Sequence, residues 1–162
     1  MKRLTSIIVL GAAATAVALA LPTAANAATV SQAFAANSGD SCHYGSTSGT
    51  LTWTVGPSPL PAGGVPVSGK VSDRPLPVDP GPVCSDDGYS STVTFTAYSG
   101  TVVADQQSRT ANNGTVSFSF TLAAGLGTKP VSRIVVQVCR NPVVTLPPSY
   151  CGPAVTYLAP AA

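Results

Sequence analysis

The chain has 162 residues, 44% of them apolar and only 9% charged, with eight Lys and Arg against six acidic residues, all of them Asp. Lys2 and Arg3, the apolar run Ile7 to Leu21 and the small-residue site Ala25-Asn26-Ala27 read as an export signal over residues 1–27. Two basic residues leave with it, so the remaining 28–162 are charge-neutral and lack the basic footprint of a nucleic-acid or anionic-membrane binder.

The exported stretch suits one domain. Ala28 to Ser41 is weakly patterned and reads as an arm in which Val30 and Phe34 dock at an edge. Thr50 to Gly56 alternates Leu51, Trp53 and Val55 with threonines, so it is a strand with Trp53 facing the core. Pro57 to Gly64 is a loop, because proline has no amide donor for a ladder. Val65 to Asp73 resumes alternation, and the proline-rich Arg74 to Val83 interrupts it again.

Ser91 to Leu122 reads as an antiparallel β-meander. Val93, Phe95 and Ala97 alternate with polar residues, as do Val116, Phe118, Phe120 and Leu122, and turns fall at Ser99-Gly100 and Asn113-Gly114, the latter suited to a type I′ hairpin. The same Asn113-Gly114-Thr115 matches a glycosylation sequon, which the hairpin already explains. Thr101 to Thr110, carrying Asp105, Gln106, Gln107 and Arg109, is too polar for anything but an edge strand. Ser132 to Arg140 is the most apolar run after the signal and predicts a central strand with Ile134, Val136 and Val138 inward; Ala154 to Leu158 ends the fold. These elements amount to roughly seven strands and no helix, hence an all-β, two-sheet antiparallel β-sandwich of immunoglobulin-like or prealbumin-like type.

Val67-Ser68-Gly69-Lys70-Val71-Ser72-Asp73 resembles the V-x-G-x-V-x-D strand of prealbumin-like and immunoglobulin-like extracellular domains. An antibody-type arrangement does not follow, since Gln137 stands where the tyrosine two residues before the second Cys would be. The Ala-rich signal, the Thr/Ser-rich strands and four cysteines resemble small secreted two-disulfide β-sandwich proteins of actinobacteria, a likeness that carries no activity with it.

Cys42, Cys84, Cys139 and Cys151 all follow the signal, where thiols oxidise, and sequence proximity favours the pairs Cys42 with Cys84 and Cys139 with Cys151. No C-x-x-C occurs and His43 adjoins Cys42, so no metal or other cofactor is expected. Asp79, Asp86 and Asp87 could hold a cation, but they lack the spacing of a calcium loop and read better as a solvated turn.

Enzyme chemistry finds little support. His43 is the one neutral-pH base, no Gly-x-Ser-x-Gly elbow accompanies it, and the adjacent Asp86 and Asp87 do not form a carboxylate pair for glycoside hydrolysis. The chain reads as a secreted, non-enzymatic binding module whose partner is an extracellular protein, glycan or surface. A structural or adhesive cell-surface protein is the next alternative, and a small hydrolase the last. The candidate contact surface is the loop from Asn141 to Tyr150, stiffened by Pro142, Pro147 and Pro148. It offers Val143, Val144, Leu146 and Tyr150, which either meet a partner or fold back to cap the open end of the sandwich.

Overall fold

Among the described residues nine strands form, most of them where apolar and polar residues alternate: β1 Ala28–Asn37, β2 Gly45–Val55, β3 Val65–Asp73, β4 Tyr89–Ser99, β5 Val102–Ala111, β6 Gly114–Leu122, β7 Arg133–Pro142, β8 Tyr150–Cys151 and β9 Val155–Leu158. They are seen in a computed structural model that describes residues 27–56, 63–74, 86–125, 130–144 and 148–161. The expected export signal lies outside the described residues except for Ala27. No helix among the described residues is long and apolar enough to cross a membrane.

Two antiparallel sheets pack face to face. One runs β1-β2-β3-β6; the other runs β5-β4-β7-β8, with β9 also pairing with β7. The core lies between them, with Leu51, Val71, Val93, Phe95, Ile134, Val136 and Val138 fully buried. Removing each of the larger of these side chains from water stabilises the fold by about 1.5–3 kcal/mol before entropy is counted.

One row of the first sheet shows how the core is fitted. Phe34, Gly49, Gly69 and Phe118 are register partners across β1, β2, β3 and β6, so all face the same way. The two glycines leave a hollow between the phenylalanines. Phe95 of the opposite sheet meets Phe34 edge-on at 5.3 Å and Phe118 at 5.5 Å between ring centroids. A Cβ on Gly49 would lie 2.7 Å from Phe34 Cζ and 2.6 Å from Gly69 Cα, which is why neither position takes a side chain.

Several sequence expectations are corrected. The arm is a strand: Phe34 and Ala36 bury one face of β1, and at its free edge Tyr157 Oη accepts from Ala35 N and donates to Ala35 O, both at 2.9 Å. That bond ties β9 of one sheet to β1 of the other and covers part of an exposed edge. The segment Ser91 to Leu122 is not a meander. β4 and β5 do pair, but β6 pairs with β3 in the opposite sheet. Asn113-Gly114 is therefore a crossing between sheets, in which Asn113 takes a positive φ of 42° and Gly114 does not, unlike the two positive values of a type I′ turn. Phe118 and Leu122 can be buried only by facing the second sheet from the first, whereas β5 offers no apolar face for β6 to continue.

Candidate functional site

The inward parity of three strands continues past their apolar residues into polar ones at one end of the sandwich. Asp73 follows Val65, Val67 and Val71 on β3; Ser91 precedes Val93 and Phe95 on β4; Arg140 follows Ile134, Val136 and Val138 on β7. All three are buried. Arg140 Nη1 pairs with Asp73 Oδ1 and donates to Ser91 Oγ at 2.5 Å, and Ser91 Oγ donates to Asp73 Oδ1 at 2.5 Å. Arg140 Nη2 reaches Asp87 Oδ1, also at 2.5 Å, and the guanidinium lies 5.2 Å from the Tyr44 ring and 5.7 Å from the Tyr89 ring. Arg140 Nε is buried without a hydrogen-bond partner among the described residues. A planar, permanently charged fork suits this role, since it addresses several acceptors at once and stacks on aromatic faces.

Loops gather around this anchor. Asp73 Oδ2 accepts the Asn113 amide at 2.8 Å, and Asn113 Nδ2 donates to Asp86 Oδ2 at 2.9 Å, so the sheet crossing is fastened to the Asp86-Asp87-Gly88 turn. Gly88 O accepts from Val143 N at 2.9 Å, which sets the loop after β7 on the same turn. Tyr150 packs against Tyr89 at 5.7 Å, and its Oη lies 3.5 Å from Asp40 Oδ2. Cys139 and Cys151 are direct register partners on β7 and β8, joined by a disulfide. Cys42, also at this end, is disulfide-bonded; Cys84, its expected partner, lies outside the described residues.

Charges here are unevenly held. Burial raises the Asp40 pKa, but the Ser38 hydroxyl, the Tyr44 amide and Arg140 outweigh it and bring the carboxyl below its ordinary value. Asp86 is lowered too, by the Gly88 amide and Asn113. Burial, with the Asp86 and Asp40 carboxylates, pushes Asp87 up despite its contact with Arg140. Burial and the Asp40 carboxylate raise Tyr150.

Of the proposed contact residues, Val143 and Val144 stand 58% and 70% exposed and Tyr150 38%. Leu146 lies outside the described residues, as does Asp79. The reading of Asp86 and Asp87 as a solvated turn is corrected for Asp87, which is half-buried against Arg140. Among the described residues, no group of three or more His, Cys, Asp or Glu could hold a metal ion. His43, whose amide donates to Asp40 O at 3.1 Å, lines a depression of about 340 Å³ between the ends of β1 and β2 and the segment from Pro153 to Val155. Ser46 and Thr47 share that lining, which among the described residues includes no carboxylate to orient the imidazole as a base. Comparison of the chain with protein-family models, curated proteins and solved structures returns no match.

Proposed function

We propose that this chain is a secreted, disulfide-stabilised binding module that meets its ligand with the end of the sandwich carrying Val143, Val144 and Tyr150. The supporting observation is the exposure of adjacent valines, 58% and 70%, on a loop whose base is fixed by the Cys139 to Cys151 disulfide and by the Val143 amide on Gly88. Apolar side chains held out in water by an ordered base cost solubility and bring the fold nothing, whereas a pre-ordered loop loses less entropy on contact. Export is supported by the pattern of residues 1–27 and by the oxidised cysteines.

The test compares the mature protein with a Val143→Ser/Val144→Ser variant, both immobilised, against culture supernatant of the producing cells and a glycan array. The expected result is a component retained by the parent and lost by the variant, at equal melting temperature. Retention indifferent to the substitutions would overturn the site. A stability loss of about 2 kcal/mol or more would instead place the valines in a buried cap.

A further inference from the structure

The turn over residues 38–45, which joins β1 to β2, is closed at its base by Ser38. Its amide donates to Gly45 O at 2.8 Å and its Oγ accepts from Gly45 N at 2.9 Å. Inside this turn His43 takes a φ of 46°, a left-handed conformation that glycine adopts without strain and that costs a residue with a side chain. The imidazole held there lines the depression beside β1 together with Asn37 and Ser46, which are register partners on β1 and β2. Asn37 Oδ1 accepts from Gly39 N at 2.9 Å, so its amide nitrogen is left to donate. The Ser46 hydroxyl and the His43 ring have no hydrogen-bond partner among the described residues.

The facing wall is apolar and fixed. Pro153 and Val155 line it, just after Gly152, which donates to Val138 O at 2.9 Å and accepts from Gln137 Nε2 at 3.0 Å. Gly152 also lies so close to Asn37 O that a Cβ would overlap it, and Tyr157 Oη occupies both main-chain groups of Ala35. At this point the free edge of β1 is therefore covered against an added peptide strand, and the depression offers side chains instead. Among the described residues that lining holds no Lys, Arg, Asp or Glu; Asp40, Lys70 and Arg74, which bond to the turn or to β2, stand outside it.

We propose that this depression binds a neutral sugar ring, either free or at the end of a glycan. Its volume of about 340 Å³ lies in the range of roughly 300–1,000 Å³ usual for small-ligand sites. A pyranose carries an apolar C–H face that suits Pro153 and Val155, and hydroxyls that donate and accept, as do the Ser46 hydroxyl and an imidazole in its neutral form, while the Asn37 amide donates. A charged ligand would lose its hydration without gaining a counter-ion. The strained backbone at His43 fits a position where the side chain is used, since a glycine there would relieve the cost. Neither Val143 nor Val144 lines the depression, so this site does not rest on the contact surface proposed above.

His43 is the single histidine of the chain, so its imidazole gives one set of NMR signals to follow in the oxidised mature protein. The probes are the methyl glycosides of glucose, galactose, mannose and N-acetylglucosamine, taken into the millimolar range, with glucuronic acid, sorbitol and trialanine as charged, open-chain and peptide controls. A saturable shift with at least one glycoside and with none of the controls is expected. Ser46→Ala and Asn37→Asp, the latter keeping the acceptor for Gly39 N, should each weaken binding by about fivefold or more. His43→Gly, followed by saturation transfer to the ligand, should lose binding yet melt at a higher temperature, because glycine removes the cost of the positive φ. Val143→Ser/Val144→Ser should bind the sugar as the parent does, so this site and the contact surface fail separately. A disaccharide that binds more tightly than the methyl glycoside of its terminal unit identifies a glycan end as the source, and equal affinity a free sugar. No saturable shift with any of the glycosides, a response to trialanine in their place, or a His43→Gly variant that binds like the parent each overturns the proposal.

Discussion

Arg140 and Asp73 stand 67 residues apart in sequence, on opposite sheets, and meet as an ion pair with neither side chain exposed. The pair joins β7 to β3 at the end where the loops gather, and Ser91 and Asp87 share its charge. Burying two ions gives little net stability, but breaking one partner leaves the other uncompensated.

Asp73→Ala should therefore lower stability by about 3–5 kcal/mol, read from urea unfolding at neutral pH. Arg140→Met with Asp73→Leu should lose less than the sum of the single changes, because the two fully buried charges leave together and only the half-buried Asp87 loses its guanidinium partner. Strictly additive losses would show that the two residues act independently.

The Cys139 to Cys151 disulfide closes a short loop, with a sequence separation of 12. Restricting the unfolded chain over such a loop is worth about 3 kcal/mol. Cys139→Ser/Cys151→Ser should lower the denaturation midpoint accordingly, and a peptide map of the oxidised parent should link these two cysteines. A map joining Cys139 to any other cysteine would contradict the β7 to β8 pairing.

Asp40 supplies a pH dependence whose sign follows from its environment. Its carboxyl is held below the ordinary 3.8, so its contribution is complete above that pH and is lost as pH falls through the lowered value. Asp40→Asn should make the decline in stability below about pH 4 shallower. Asp87, pushed the other way, adds a slope of opposite sign, so the measurement is the difference between variant and parent across thermal melts from pH 2 to 6.

Gly69→Ala tests the hollow under Phe95. A methyl group there would stand 3.0 Å from both Gly49 Cα and Phe34 Cζ and press on the Ser48 carbonyl, forcing β2 and β3 apart. A loss of about 1–3 kcal/mol is expected from overpacking. An unchanged melting temperature would mean that the row accommodates a side chain.

Parity alone determined much of this fold. Residues of equal parity share one face of a strand, so Leu51 and Trp53, Val93 and Phe95, and Ile134, Val136 and Val138 declare the core from their order in the chain. The same rule reaches Asp73, Ser91 and Arg140, each two residues beyond the last apolar position of its inward face. Sequence reading did not single them out as the anchor of the site, because a charge at the end of an apolar face signals burial only when its counter-ion is known. That counter-ion comes from another sheet, and a sequence carries no record of which strand ends meet. The meander failed for a related reason: turn chemistry at Asn113-Gly114 predicts a reversal of direction, while the sheet that β6 joins depends on where Phe118 and Leu122 find apolar partners. Local periodicity is written in neighbouring residues, and long-range pairing is decided by packing between them.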